Sequence, residues 1–331
     1  MTRWALVTDY AWPSLDPERE ILGAIGVELK VARNGDEGEL VDLAGDAEAI
    51  LTNWKPVSAR VLQNAPHCLT VARYGVGLDN IDVAAATELG IVVSNVPDYC
   101  IDEVSDHAMA LLLACERRIV EFGGQTRGGG WDNQGAGAIH RLRGQTLGLV
   151  GFGRIAKAVV PKARAFGMVV LAYSPRLTAG HRDDVEAVGS LGELLERSNV
   201  VSLHAPLTES THRMIGPEQL AGMRPGAVLI NTARGGLVDE VALADALLAG
   251  TLAGAGLDVM GEEPPPVDHP LRGVHGVLMT PHAAFYSAES VNELQQKAAD
   301  NVASVLTGRV PRYPVNTEVL DHPDLRAHLE R

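Results

Sequence analysis

The sequence is short of positive charge and of cysteine, and each shortage argues against a class of protein. Its 331 residues include 28 Lys and Arg against 42 Asp and Glu, which gives a formal net charge of −14. A nucleic-acid partner requires a basic face, so we expect no nucleic-acid binding. The three cysteines, Cys68, Cys100 and Cys115, lack metal-ligand spacing and are an odd number. They predict no metal site and favour a reducing compartment.

Long apolar runs are also missing. No run approaches the length that spans a bilayer, and the first residues lack the charge and size order of a signal peptide. We therefore expect a cytoplasmic protein without a membrane partner. Hydrophobic residues make up 46% of the chain and charged residues 21%, which is typical of a globular protein, and the length favours two domains.

Short apolar runs alternate with helix-like segments in both halves of the chain. WALVTD (4–9), CLTVARY (68–74) and GIVVSNV (90–96) are typical of buried strands in the first half, and a second series begins at 147. This alternation predicts an α/β protein with two doubly wound parallel sheets.

The segment that joins the two series has a different character. Residues 101–118 predict a long, largely buried helix with acids at its start and bases at its end. Residues 123–144 are so rich in glycine that we expect no regular structure there. This stretch is either a flexible linker or an arm that packs on a partner subunit, and the composition fits both.

The stretch LGLVGFGRIAKAVV (147–160) has the pattern of a dinucleotide-binding turn. Gly151, Gly153 and Ala156 match G-x-G-x-x-G/A between a predicted strand and a predicted helix. The first glycine permits the turn and the second admits a pyrophosphate, which the N–H groups near Arg154 and Ile155 would then face. A tight structural turn without a ligand is the alternative.

The acid that normally follows such a turn by about 20 residues, and binds the adenine ribose, is missing. The strand that ends there is followed by Ser174 and then by Arg176. A neutral residue beside an arginine, with Arg182 as a second candidate, suits a 2′-phosphate and favours NADP over NAD. The alternative is an ordinary surface arginine in a protein that accepts NAD.

Four polar residues follow predicted strands of the second series, namely Arg234, Asp258, Glu263 and His282. The carboxyl ends of parallel strands meet at one edge of a sheet, so these side chains are expected to converge around a ligand. Taken singly, each also has an ordinary structural explanation, such as a salt bridge or a packed histidine.

Several segments together carry a resemblance to a known family, namely RYGVGLDNID (73–82), HAPLTEST, NTARGGLVDE, LDV followed by EP, and TPHAA. The chain resembles the D-isomer-specific 2-hydroxyacid dehydrogenase family over essentially its whole length. NVPDYCIDE, RAFGMVVLAYSP and TPHAAFYS are most similar to its C-terminal-binding-protein branch. The resemblance implies a flavodoxin-like substrate domain formed by 1–103 and 284–331. A Rossmann-type cofactor domain, 104–283, is inserted into it, and a homodimer forms through the cofactor domain.

The family also implies a role for each matching residue. Arg234 would hold the carboxylate and the carbonyl of a 2-oxo acid, and His282 would protonate the carbonyl oxygen as hydride arrives. Glu263 would accept a hydrogen bond from the other ring nitrogen of His282, and Asp258 would face the nicotinamide carboxamide. The remaining cofactor-binding residues would be Val104, Gly151, Gly153, Arg154, Ile155, Ser174, Arg176, His204, Ala205, Pro206, Thr211, Thr232, Ala233 and Ala284.

Substrate binding is expected at the glycine loop and at nearby aromatic residues. Main-chain N–H groups around Val76 and Gly77 would hold the second carboxylate oxygen. Aromatic residues make up only 4% of the chain yet follow several predicted strands of the first series, so we expect a 2-oxo acid with an apolar or aromatic side chain rather than glyoxylate. The substrate-binding residues would be Arg73, Tyr74, Gly75, Val76, Gly77, Trp54 and Phe285.

Two other functions are compatible with the same residues. The nearest branch includes co-repressors that sense a dinucleotide and bind peptides, and these keep Arg234, Glu263 and His282. Phosphite oxidation in the same superfamily uses a similar constellation. Formate oxidation is disfavoured, because formate dehydrogenases carry glutamine at the position of Glu263. The main prediction is therefore an NAD(P)-dependent enzyme that reduces a 2-oxo acid to a D-2-hydroxy acid.

Overall fold

The computed structural model describes residues 3–133, 138–182 and 184–330, with the side chains of 181 and 182 left out. The chain divides into two compact units. The first consists of Met1–Cys100 and Ser287–Arg331, and the second is the continuous segment Ile101–Tyr286. The second unit is therefore inserted into the first.

The first unit is a five-stranded parallel sheet with the order β2-β1-β3-β4-β5, the flavodoxin-like order. A C-terminal helix, Ala288–Leu306, belongs to this unit together with a 3₁₀ turn at Thr317–Asp321. The elements of its N-terminal part are β1 (Arg3–Val7), α1 (Asp16–Gly23), β2 (Val27–Val31), α2 (Glu37–Ala44), β3 (Ala49–Thr52), α3 (Ala59–Gln63), β4 (Thr70–Arg73), α4 (Val83–Glu88) and β5 (Val92–Ser94).

Local sequence explains where these elements begin. The central strands β3 and β4 are buried along their whole length, as expected of a parallel sheet covered on both faces. Helices α2, α3 and α4 start at Asp36, Ser58 and Asp82, whose side chains each accept a main-chain N–H of the first turn. Such caps supply partners that the first turn of a helix lacks.

The second unit is an eight-stranded sheet with the order β13-β12-β11-β10-β6-β7-β9-β8, parallel except for β8. Its elements are α5 (Ile101–Glu116), α6 (Ile119–Arg127), β6 (Thr146–Val150), α7 (Arg154–Ala165), β7 (Val169–Tyr173), β8 (Gly180–Arg182), β9 (Val185–Ala187), α8 (Leu191–Arg197), β10 (Val200–Leu203), α9 (Pro217–Ala221), β11 (Ala227–Asn231), a 3₁₀ turn (Gly235–Leu237), α10 (Glu240–Leu248), β12 (Leu252–Leu257) and β13 (Val277–Met279).

The strand order reverses at β6, which has β7 on one side and β10 on the other. In doubly wound sheets, ligands bind beyond the carboxyl ends of the strands at this switch point. The expectation of two doubly wound parallel sheets, one of them of Rossmann type, is confirmed. The short strands β8 and β9 were not expected.

The prediction that 123–144 lacks regular structure is wrong at its start. Helix α6 continues through Gly123 and Gly124 to Arg127. Glu121 in the first turn and Arg127 in the last turn both suit the helix dipole, and this helps to offset the cost of the two glycines. Residues 134–137 of the stretch lie outside the described residues, so its role as an arm or a linker stays a prediction.

Within the described part of the chain, no helix has the length and hydrophobicity needed to cross a bilayer. The three cysteines are buried and form no disulfide with one another. Burial raises the pKa of Cys68 and of Cys115 to about 12, so neither is a reactive thiolate at neutral pH.

Candidate active site

The turn after β6 is built for close approach of a ligand to the main chain. Gly151 has a φ of +89°, and a Cβ on it would lie 2.6 Å from the carbonyl oxygen of His204 and 2.8 Å from the nitrogen of Ala205. Gly153 caps α7 without a side chain of its own, and Ala156 is fully buried behind the turn. This cradle at the switch point fits the pyrophosphate of a dinucleotide.

The end of β7 carries the residues predicted to select between NAD and NADP. Ser174 accepts the N–H of Leu177 at its carbonyl (2.9 Å), and this turn exposes Arg176 to solvent. No acid lies at the end of this strand. The side chain of Arg182 lies outside the described residues.

The loop after β10 faces Gly151 across the switch point. The ring of His204 lies 2.9 Å from the Ser202 hydroxyl, and burial lowers its pKa to about 4, so it is neutral at physiological pH. Thr211 ties the loop together by donating its hydroxyl to the carbonyl of Pro206 (2.7 Å). Ala205 and Pro206 are thereby presented at the edge predicted to hold the dinucleotide.

The end of β11 presents Arg234 on a tight turn. Asn231 is buried, donates its side-chain amide to the carbonyl of Arg234 (2.9 Å) and accepts the N–H of Ala233 (3.0 Å). The hydroxyl of Thr232 is buried with no hydrogen-bond partner among the described residues. An unpartnered buried hydroxyl in the loop after β11 is a second observation that fits a bound dinucleotide.

Gly235 lets two loops of the site touch. A Cβ at this position would overlap the main-chain carbonyl of Met260 and the nitrogen of Gly261. The Gly261 N–H is held by the carboxylate of Glu240 (2.7 Å), which also lies 3.1 Å from Nε2 of His269. The turn that carries Arg234 is therefore packed directly on the loop that leads to Glu263.

Glu263 and His282 form a hydrogen-bonded acid–base pair. Nδ1 of His282 lies 2.7 Å from Oε2 of Glu263, and Oε1 of the same carboxylate accepts the N–H of Met260 (2.9 Å). Partial burial alone would raise the pKa of Glu263, but His282, the Met260 N–H and the charge of Arg234 together lower it. The carboxylate is therefore ionised and accepts a hydrogen bond from Nδ1 of His282, which fixes the orientation of the ring. Nε2 of the ring takes no part in this hydrogen bond.

Asp258 organises the loop that carries His282. Its buried carboxylate accepts the N–H of Ala283 at Oδ1 (2.9 Å), the N–H of Ala284 at Oδ2 (2.8 Å) and the hydroxyl of Thr280 at Oδ1 (2.5 Å). Its carbonyl accepts the N–H of His282 (2.8 Å). This internal use of Asp258 was not foreseen, and its predicted contact with the carboxamide stays a prediction.

Phe285 lies beside the Glu263–His282 pair. Its ring meets the ring of His282 edge to face with centroids 6.3 Å apart, and it is half-buried. Val104, the remaining residue predicted to contact the cofactor, is buried on α5.

In the first unit, Arg73 and the glycine loop form a separate polar site at the end of β4. Arg73 is buried and donates to the side-chain oxygen of Asn53 (3.3 Å). Gly75 has a φ of +137°, and a Cβ on it would lie 2.8 Å from Nη1 of Arg73, so the guanidinium lies over the glycine. The carbonyl of Val76 accepts the Asn95 side chain (2.8 Å), and this shapes the loop that continues through Gly77.

The aromatic residues that were predicted to bind substrate in the first unit differ in their exposure. Tyr74 and Trp12 are buried and pack edge to face with centroids 4.8 Å apart, so the side chain of Tyr74 belongs to the core. Trp54 is 46% exposed. The carboxylate of Asp9 accepts the main-chain N–H groups of Asn53, Trp54 and Lys55, with the Trp54 N–H at 2.9 Å.

Three residues that the sequence analysis did not select, Asn231, Glu240 and Asp9, hold the loops of the site through hydrogen bonds to main-chain groups. Asn231 is the last residue of β11, Glu240 is the first residue of α10, and Asp9 lies just beyond β1. The main-chain partners of Glu240 and Asp9 are distant in sequence, and no local pattern identifies such partners. Across the described residues, no group of three or more His, Cys, Asp or Glu is arranged to hold a metal ion.

The chain is similar to known proteins of one enzyme family. The model of the D-isomer specific 2-hydroxyacid dehydrogenase NAD binding domain matches residues 109–284. The chain is 41% identical over 290 residues to a glyoxylate reductase of Korarchaeum cryptofilum, covering 85% of this chain and 86% of the relative. It is 38% identical to a D-3-phosphoglycerate dehydrogenase of Methanocaldococcus jannaschii, covering 94% of this chain but 59% of the relative.

A solved structure extends the similarity to the whole chain. The NADPH-dependent glyoxylate/hydroxypyruvate reductase of Sinorhizobium meliloti, in complex with NADP and malonate, is 29% identical with a TM-score of 0.84 and covers 100% of both chains. The chain belongs to the D-isomer-specific 2-hydroxyacid dehydrogenase family. It is an oxidoreductase that uses a nicotinamide dinucleotide to interconvert 2-oxo acids and D-2-hydroxy acids. The predicted C-terminal-binding-protein-like branch stays a prediction.

Proposed function

We propose that Arg234, Glu263 and His282 carry out this reaction in the second unit. The observation that carries the proposal is the 2.7 Å contact between Nδ1 of His282 and Oε2 of Glu263, within the electrostatic reach of Arg234. A bound nicotinamide dinucleotide supplies or accepts the hydride. The chain's own residues bind the oxo acid and move the proton.

The proton moves at Nε2 of His282. Because Nδ1 is committed to Glu263, Nε2 is the nitrogen that can donate a proton to the substrate carbonyl oxygen, or accept it in the reverse direction. The ionised carboxylate of Glu263 stabilises the imidazolium from which that proton comes. The planar guanidinium of Arg234 holds the carboxylate and polarises the carbonyl at the same time.

The substrate is proposed to be a 2-oxo acid with an apolar or aromatic side chain. Phe285 supplies an aromatic surface beside His282. The exposed Trp54 and the Arg73 and Gly75–Gly77 region of the first unit would hold the side chain and the carboxylate. Tyr74 takes part only through its main chain, because its ring is packed on Trp12.

The cofactor is proposed to be NADP rather than NAD. Ser174 carries no charge to repel a 2′-phosphate, and Arg176 is exposed in the turn that follows β7. The similar Sinorhizobium meliloti reductase is an NADPH-dependent enzyme and was solved with NADP.

These proposals are tested by oxidation of NADPH and of NADH across a panel of 2-oxo acids, from glyoxylate to phenylpyruvate. We expect higher kcat/KM for bulky acids, and Trp54→Ala or Phe285→Ala should lower it about tenfold for those acids while sparing glyoxylate. Arg176→Ala should lower the NADPH to NADH ratio about tenfold. Relative rates that do not change in the first two variants would contradict the substrate class, and a ratio that does not change would contradict the cofactor preference.

The assembly and compartment are also proposals. Ile119, Val120 and Trp131 are exposed apolar residues of the second unit, at 58%, 48% and 91%, and they suit a homodimer through this unit. Light scattering of wild type against Trp131→Ser distinguishes a dimer from a monomer. The three cysteines are buried and form no disulfide, which supports the cytoplasm.

A further inference from the structure

A chain of hydrogen-bonded side chains ends at the loop that carries His282. His107, on α5, places Nε2 2.9 Å from the hydroxyl of Thr280. That hydroxyl lies 2.5 Å from Oδ1 of Asp258, and Nε2 of His107 is itself 3.4 Å from the same oxygen. Sequence reasoning selected neither His107 nor Thr280, and the proposed reaction gives neither of them a task.

The direction of these hydrogen bonds follows from the groups present. Each oxygen of Asp258 already accepts a main-chain N–H, so the carboxylate is an acceptor throughout. The single hydrogen of the Thr280 hydroxyl is therefore donated to Asp258. Thr280 can then only accept from His107, which requires a hydrogen on Nε2 of that ring.

The loop at the end of this chain needs support. His282 has a left-handed backbone with a φ of 51°, which a residue with a Cβ adopts only when its surroundings hold it there. Asp258 supplies that support through its carbonyl to the His282 N–H and through its carboxylate to Ala283 and Ala284. If the Asp258 carboxylate were free to rotate, its hydrogen bonds to Ala283 and Ala284 would weaken together.

We propose that His107 is a positioning residue for His282. By donating to Thr280, it fixes the Asp258 carboxylate, and Asp258 holds His282 in the conformation in which Nδ1 meets Glu263. This inference rests on the proposed function, because it assigns His107 a role only through the catalytic histidine. The side chains involved all belong to the second unit.

The test compares variants that remove the hydrogen bonds with variants that keep them. His107→Leu and Thr280→Val should each lower kcat about tenfold, as expected for the loss of a hydrogen bond to a charged network. The double variant should lose no more than either single variant. The dissociation constant of NADPH, from fluorescence titration, should change less than about threefold.

Conservative replacements provide the matching rescue. His107→Gln keeps a donor near the position of Nε2 and Thr280→Ser keeps the hydroxyl, so both should stay within about threefold of wild-type kcat. His275→Leu, which removes an exposed histidine of the same unit, serves as the control. Nitrogen-15 NMR of the imidazoles, with His107→Gln to assign the signal, should show a hydrogen on Nε2 of His107 in the wild type.

The outcomes separate this inference from the proposed function. Wild-type kcat in His107→Leu and Thr280→Val, beside an inactive His282→Ala, overturns the positioning role alone. An active His282→Ala overturns the proposed function. Additive losses in the double variant, a loss confined to NADPH binding, or an Nε2 without hydrogen in the NMR measurement also overturn the positioning role. The NMR result decides the matter if the leucine variant does not fold.

Discussion

Gly235→Ala should separate the loop that carries Arg234 from the loop that leads to Glu263. The added Cβ would overlap the main chain of Met260 and Gly261, and neither is a flexible side chain that can swing away. The Arg234 turn and the loop leading to Glu263 must therefore move apart. Because this contact is between rigid backbones, we expect a loss of about 1–3 kcal/mol in the free energy of unfolding, typical of overpacking.

The catalytic consequence should be larger than the loss of stability suggests. A displacement of roughly 1 Å between groups that act on one substrate costs on the order of a hundredfold in rate, so kcat/KM should fall about that far in Gly235→Ala. The assay is steady-state oxidation of NADPH, with denaturant unfolding in parallel. Gly236→Ala is the matched control, since the atoms nearest to its Cβ belong to side chains, Leu207 at 3.0 Å and His212 at 3.8 Å, and not to the main chain. Wild-type kcat/KM in Gly235→Ala would refute the reasoning.

Two further perturbations follow from the same structure. Because His204 is held neutral with a pKa near 4 against 6.5 when exposed, the unfolded chain binds a proton that the folded chain does not, so stability is lost as pH falls from about 6.5 toward 4. This contribution is about 2 kcal/mol between pH 7 and pH 5, and urea unfolding of His204→Gln should lack it; an equal pH dependence in the variant would exclude His204 as its source. Glu240→Ala frees the Gly261 N–H and should lower kcat about tenfold with NADPH binding retained, whereas the exposed Asp245→Ala on the same helix should change neither. Equal kcat in the two variants would mean that Glu240 does not set the position of the loop.

The fold was predictable because its signals are local. Alternating buried strands and capped helices identify a doubly wound protein, and the Gly151 turn shows where the second sheet begins. The prediction of no regular structure from residue 123 was wrong because it relied on glycine content alone. Glu121 and Arg127 favour helix α6 at its two ends. The short strands β8 and β9 carry too little pattern to be distinguished from a loop.

The convergence of the proposed reacting groups could be predicted from the sequence, whereas the residues that hold their loops could not. Arg234, Glu263 and His282 follow strands that end at one edge of the sheet, so their convergence follows from topology. The supports depend on contacts distant in sequence, such as the hydroxyl of Thr280 against Asp258. The spacing of residues in the sequence does not show which side chains are buried. The ring of Tyr74, predicted to bind substrate, is buried in the core.

The most direct test of the proposed chemistry is the kcat of His282→Ala with the best 2-oxo acid of the panel. Removal of a general acid should lower kcat by about two to four orders of magnitude, with NADPH binding retained because the cradle at Gly151 is untouched. That result would support proton transfer through the Glu263–His282 pair. A variant that turns over near the wild-type rate would contradict it.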